Sequence, residues 1–246
     1  MRTSSVAMLL ALAVMLSSCR GVLKKEYEYE EELYLDVNGS AALYVNASLP
    51  ALVALRGADL EVDPEARFDR RRVRAVFEGP GVRVRTPTTS RRNGRRFVHV
   101  RVDVDRVEDL PKLAPFAWSN YSMIRRDDRI EFRQVVGAPA AKPVGDVGWT
   151  GAELVAFRMH LPSEISYHNA PSRTVQRGNI LEWEQPLQER LKGAPLDIQA
   201  HMATRSILYS TLLLFGATIV AAAAAFALVI WIIKRSGNRI QEAGLS

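Results

Sequence analysis

The 246-residue chain predicts an α+β fold, mainly antiparallel sheet built of hairpins with one or two packed helices. Three observations carry that expectation. Short runs that alternate apolar and polar residues recur from Tyr27 to Met202, the period of strands with one buried face. Turn signals (Asn38-Gly39, Asn93-Gly94 and Asp127-Asp128) separate several of them in pairs. Only two stretches between Pro50 and Pro80 carry helix punctuation.

Both ends of the chain are of another kind. Arg2, the apolar run Val6 to Leu16, and then Leu16-Ser17-Ser18-Cys19 have the charge, core and small-residue ending of a secretory signal, residues 1–18. The ending resembles a bacterial lipobox, which makes Cys19 the lipidated first residue of the mature chain. Cys19 is the one cysteine present, so an intramolecular disulfide and any site built on cysteine pairs are excluded. Residues 19–25 read as a linker and 26–203 as the domain. Residues 207–233 contain no charged side chain, long enough as a helix to cross a hydrocarbon core of about 30 Å. Tyr209 and Trp231 stand near its ends, and Lys234, Arg235 and Arg239 follow. The positive-inside bias puts the tail, 234–246, in the cytoplasm and the domain on the extracytoplasmic side. Ala217, Ala221 and Ala225 recur every four residues, a small-residue face suited to helix-mediated self-association or merely tolerated.

Within the domain, Leu33, Leu35 and Val37 alternate with Glu32, Tyr34 and Asp36 before Asn38-Gly39, where positive φ at both residues makes a tight hairpin. Asn46-Ala47-Ser48 matches a glycosylation acceptor and also fits ordinary strand chemistry. Pro50 ends the second strand, and residues 51–56 form a short helix closed by Gly57. Asp63-Pro64-Glu65 combines an N-cap acceptor, proline at N1 and acid against the dipole, predicting a helix from there to about Phe77. Its apolar stripe is Phe68, Val73, Val76 and Phe77; Arg67, Arg70, Arg71 and Arg74 lie off it, either simply solvated or set against lipid headgroups.

A second hairpin turns at Asn93-Gly94 and ends on Val98, Val100, Val102 and Val104. A tight turn there would set Arg83 opposite Val104, so a bulge near Pro87 or a looser turn is needed to match the apolar faces. Asp103 and Asp105 share a strand face, with neighbouring arginines as their expected partners rather than a metal. In the third hairpin a turn at Asp127-Asp128 sets Met123 against Phe132 and Tyr121 against Gln134. Residues 138–151 form a long loop containing Trp149, and Val155, Phe157, Met159 and Leu161 share the face of a further strand.

Two function classes are disfavoured by this inventory. The formal charge of +6 invites nucleic acid, but half of it belongs to the two ends (Arg2, Lys234, Arg235 and Arg239 against Glu242), and an anionic lipid surface is the better partner in that compartment. The four histidines stand far apart in sequence, with no metal-ligand spacing, nucleophile elbow, phosphate loop or dinucleotide fingerprint, so no metal, no cofactor and no enzymatic activity are expected.

The opening LYLDVNGSAALYVNASLP, the segment Ser166 to Ala170, Gly178-Asn179 before a strand carrying Trp183, and a last strand running into the span are similar to the LppM-like family of bacterial envelope lipoproteins. That resemblance implies an antiparallel α+β domain with helices on one side and a lipid- or glycolipid-binding role. A lipid binder needs an apolar groove, for which Phe68, Phe77, Phe157, Met159 and Trp183 are the candidates. The alternative, a protein-interaction subunit of an envelope membrane assembly, needs only an exposed face and a filled core.

Overall fold

The computed structural model describes residues 25–173 and 175–243, with side chains as far as Ile232; the signal, Cys19 and most of the linker lie outside the described residues. Among the described residues eleven strands form two sheets. The larger comprises β1 (Tyr27–Leu35), β2 (Ala41–Ser48), β3 (Val82–Val84), β4 (Thr88–Arg92), β5 (Arg95–Val104), β8 (Leu154–His160) and β10 (Ile180–Pro186). Its order is β10-β8-β1-β2-β5-β3, with β4 also on β5. The smaller sheet, β6-β7-β11-β9, comprises β6 (Ser119–Arg125), β7 (Arg129–Val136), β9 (Ile165–His168) and β11 (Leu196–Ala203).

Alternation within the strands decides which face of the large sheet is dry. Tyr29, Leu33 and Leu35 of β1, Leu43 and Val45 of β2, Val98, Val100, Val102 and Val104 of β5, and Phe157 and Trp183 of β8 and β10 are all buried. The small sheet covers part of this inner face. The rest is covered by α1 (Leu49–Arg56), α2 (Arg70–Phe77) and two 3-10 turns, Val107–Lys112 and Ala114–Phe116. α3 (Leu187–Leu191) closes the β10 side. Burying so many branched side chains, at about 1.5–3 kcal/mol each, is what holds the layers together.

The expected elements are found with three corrections. First, the sheet is not wholly antiparallel: β1 and β8 pair in parallel, Leu33 opposite Met159 and Glu32 opposite Arg158. Hairpin signals are local and carry no information about such a long-range pairing. Second, the first hairpin turns through three residues: Asp36 N–H donates to Ser40 O at 2.9 Å, and Gly39 alone adopts positive φ, +91°. Val37 thereby leaves the strand alternation. Third, the second helix starts at Arg70, capped by Asp69, whose carboxylate accepts from Arg71 N at 2.8 Å and Arg72 N at 3.2 Å. Asp63 closes only a turn, accepting from Glu65 N at 2.8 Å. The last helix, α4 (Ile207–Ala243), runs on past residue 233.

Elsewhere the register follows the sequence. Asn93 and Gly94 both take positive φ, +50° and +71°, in a two-residue turn that sets Arg92 opposite Arg95. Val84 pairs with Val102, whereas Thr88 pairs with His99, so β3 and β4 hold one residue more than the facing stretch of β5. That extra residue, beside Pro87, keeps both apolar faces inward. Met123 faces Phe132 and Tyr121 faces Gln134. In α1, Ser48 caps Ala51 N–H at 3.1 Å, and Gly57, φ +69°, returns its N–H to Val53 O at 3.0 Å.

Residues Ile207–Ile232 form the one helix, among those described, long and apolar enough to cross a membrane, and none of its most apolar stretch is buried by the domain. Only residues 204–206 separate β11 from α4, and Ile207 N–H donates to Pro162 O at 2.9 Å. The strand directions then place the β1–β2 turn, the end of β5, the β6–β7 turn and the end of β8 at the α4 end of the domain. The start of β1 and the Asn93-Gly94 turn lie at the opposite end, where Asn93 Nδ2 donates to Glu26 Oε1 at 2.7 Å.

Candidate functional site

The outer face of the large sheet is the domain's most organised polar surface. Glu182, Arg158, Glu32, Tyr44 and Arg101 stand side by side across five strands, and His160, Tyr34, Ala42 and Asp103 form the next row. Arg158 bridges Glu30 at 2.5 Å and Glu182 at 2.7 Å, and His160 Nε2 lies 2.5 Å from Glu32 Oε1. Tyr34 stacks on the His160 ring with centroids 3.9 Å apart. Arg101 donates to Tyr44 Oη and to Asp103 Oδ1, both at 2.8 Å, while Arg85 reaches Asp103 more loosely at 3.3 Å. At the far end Glu184 accepts from Lys25 at 2.6 Å and from the Tyr27 hydroxyl.

Electrostatically this surface is a lattice of satisfied pairs. Burial opposes the charge on Arg158, but the flanking carboxylates outweigh it and hold the guanidinium above its usual range. Burial raises and its arginine partners lower the Asp103 carboxyl, with the arginines prevailing. Glu184 is likewise held low, burial being outweighed by Lys25 and Tyr27. His99 is held down by burial, with Arg92 adding to the effect against Glu30; Nδ1 meets Asn46 Oδ1 and Nε2 meets Ser90 Oγ, each at 2.9 Å. The Asp103–Asp105 pair is held by arginines, Arg83 contacting Asp105 at 3.4 Å. Among the described residues no three His, Cys, Asp or Glu stand together in a way that could hold a metal ion. Paired charges and aromatic rings make up this surface.

A second polar cluster lies in the interior between the sheets. Glu31 shares the parity of Leu33, so the strand turns it inward. Its Oε1 accepts from Tyr121 at 2.7 Å and Gln134 at 2.9 Å, and its Oε2 accepts from Tyr29 at 2.9 Å and from Arg56. The Arg56 guanidinium lies 3.6 Å from the centre of the Trp118 ring, and that of Arg190 lies 5.2 Å from it. Burial and the nearby Arg56 lower the proton affinity of Arg190. Burial raises the Tyr29 and Tyr121 hydroxyls well above their usual range. In the run Tyr-Glu-Tyr-Glu-Glu-Glu both Glu28 and Glu31 are buried, Glu28 against Arg95 at 2.9 Å, and parity with the later leucines marks only Glu31.

The residues proposed for a lipid site are not brought together. Phe157 and Trp183 face one another across β8 and β10, and Met159 faces Leu181. With Leu33 and Ile198 they fill the space between the sheets, leaving 0 Å³ for a water-sized guest. Phe77 packs instead on Phe116 beneath α2, ring centroids 5.9 Å apart. Phe68 lies outside the helix, beside Leu49, Leu60 and Val73, in a small cleft of about 90 Å³. The expected common groove is thus three separate packing sites.

Arg67, Arg70, Arg71 and Arg74 are all exposed. α2 packs through Val73 and Phe77 on the inner side of the large sheet, so these arginines belong to the covered side, not to the outer face. Arg67, Arg70 and Arg71 lie near Thr89, which pairs with Val98, six residues before the α4 end of β5. At about 3.4 Å per residue that is about 20 Å from that end. Arg74 is paired with Glu78 at 2.6 Å.

No family model matches the chain, and no curated protein sequence matches it. Among solved structures, the folded domain of LppM from Mycobacterium tuberculosis is similar at a TM-score of 0.40 and 13% identity, over 76% of this chain and 99% of that one. That is a distant structural likeness and nothing finer.

Proposed function

We propose that this chain is a membrane-anchored bacterial envelope lipoprotein whose extracytoplasmic domain is non-enzymatic and acts by surface contact, as the interaction subunit of an envelope membrane assembly. Two anchors hold it: the lipid on Cys19 and the helix that begins at Ile207. The observation that carries the reading is the closed interior. Pockets that engulf small ligands run to about 300–1,000 Å³; the space among Phe157, Met159 and Trp183 measures 0 Å³ and the cleft beside Phe68 and Val73 about 90 Å³, while the larger spaces, about 920 Å³ beside Tyr34 and Arg101, about 880 Å³ beside Arg67 and Arg70 and about 410 Å³ beside Val76 and Leu113, are clefts open on the surface and not cavities between the layers. Lipid carriage inside the domain is therefore the weaker reading. The outer face of the large sheet, with its paired charges, remains as a surface for contact.

Native mass spectrometry of the full chain released from detergent tests this reading. The expected mass is that of the mature polypeptide plus the covalent lipid on Cys19. A further stoichiometric phospholipid or glycolipid that survives detergent exchange would return the lipid-carrier reading to first place.

A further inference from the structure

We propose that the domain lies along its membrane, with the outer face of the large sheet against the lipid headgroups. The proposal rests on the two-anchor reading above and on where the two chain exits lie. Lys25 is tied to Glu184 at 2.6 Å, and Glu26 O accepts from Leu154 N at 2.7 Å, so the chain is fixed from Glu26 onward at the end of β1 remote from α4. At the other end Ser206 and Leu208 border an open cleft at the strand tips, shared with Tyr34, Ala42, Arg101 and Asp103 and with the ends Leu35, Ala41 and Val104 of the inward-facing rows. Glu184, Tyr34, Ala42, Arg101 and Asp103 all belong to the outer face. Lys25 and the first turn of α4 thus both stand beside outer-face side chains, at opposite ends of the strands.

Chain length then decides the posture. Were the domain upright on α4, Glu26 would stand nine residues of strand above Leu35, about 30 Å at about 3.3 Å per residue. Only seven residue steps separate Cys19 from Glu26. Fully extended they reach at most about 25 Å. From that height even a fully stretched linker falls short, and the side chain and glyceryl link of Cys19 would have to span the rest. Laying the strands along the surface removes the conflict, and the three residues between Ala203 and Ile207 supply the bend. The face brought down carries Tyr27, Tyr34 and Tyr44, whose amphipathic rings suit the headgroup zone. Arg83 and Arg85, held at only 3.3–3.4 Å by their aspartates and more than two-thirds exposed, can exchange those partners for phosphate. The exposed face of the small sheet then points away from the bilayer, toward any protein partner.

The test uses the full, lipidated chain in vesicles of phosphatidylcholine and phosphatidylglycerol, with one added thiol carrying a nitroxide. Ser90→Cys places it on the outer face of the large sheet and Asn120→Cys on the exposed face of the small one, both at the end remote from α4. A nickel-chelating lipid in the outer leaflet reports proximity to the headgroups. The expected result is at least a fivefold greater relaxation enhancement at residue 90 than at 120, lost when Cys19→Ala removes the lipid. Equal enhancement at the two sites, or the larger one at 120, in a chain whose mass proves Cys19 to be lipidated, overturns the posture and leaves the two-anchor reading standing. A mass showing Cys19 unmodified overturns both together.

Discussion

Replacing Glu31 by leucine should be among the most damaging single substitutions in the domain. The Glu31 and Arg56 side chains are 2% and 1% exposed, so the loss leaves a guanidinium buried without its counter-charge. Breaking a buried pair from one side costs about 3–5 kcal/mol. Tyr29, Tyr121 and Gln134 lose their acceptor at the same time. Against a total stability of about 5–15 kcal/mol, about 4 kcal/mol is a large fraction. With a urea slope of about 2 kcal/mol/M it moves the unfolding midpoint down by about 2 M. Urea unfolding of the full chain in detergent, followed by tryptophan fluorescence, measures it, since Arg56 lies on Trp118. In Glu31→Leu/Arg56→Met both charges are gone, and half or more of the lost stability should return. A loss below about 1 kcal/mol for Glu31→Leu, or strict additivity in the double variant, would refute the assignment of this pair as the interior's electrostatic keystone.

Further outcomes follow from the same geometry. Arg190→Met should cost less than Arg56→Met by about 1 kcal/mol or more, because it removes one of two like charges around Trp118 and leaves Glu31 paired; the same urea series compares them. His99 is held below its usual value of about 6.5, so the folded state binds fewer protons than the unfolded one and stability falls as pH drops through that range; His99→Gln should flatten the unfolding midpoint between about pH 7 and pH 5. Gly57→Ala, at φ +69° with a new Cβ 3.1 Å from Ala140, should cost about 1–2 kcal/mol at the end of α1. Ala221→Leu should weaken any crosslinked dimer formed through α4, and an unchanged crosslinking yield would remove the alanine face from the account.

The sequence was most legible where the determining interactions are local. The Asn93-Gly94 turn, the compensating extra residue near Pro87 and the Met123–Phe132 pairing could all be worked out from turn chemistry and side-chain alternation. The helix at Asp63 went wrong because three N-terminal signals there were real but served a turn; Asp69, six residues on, satisfies the donors of Arg71 and Arg72 and starts the helix. The parallel β1–β8 pairing joins segments more than a hundred residues apart, and no local pattern encodes it. The groove was misplaced for a related reason. Phe68, Phe77 and Trp183 are each apolar enough to line a pocket, but whether facing layers leave a gap depends on how the small sheet closes over the large one. The polar rows of the outer face were visible residue by residue as alternate glutamates, tyrosines and arginines, yet their alignment across five strands needed the registers.

The closed interior is the claim on which the functional account turns, and quenching by brominated acyl chains tests it directly. In a chain carrying Trp149→Phe and Trp231→Phe, the tryptophans left are Trp118 and Trp183, the latter 2% exposed between the sheets. Reconstituted in vesicles of phosphatidylcholine brominated along its acyl chains, this chain should fluoresce as it does in the unbrominated lipid, to within about a tenth, because no acyl chain enters beside Trp183. Loss of a third or more of the emission would place lipid inside the domain and contradict the account.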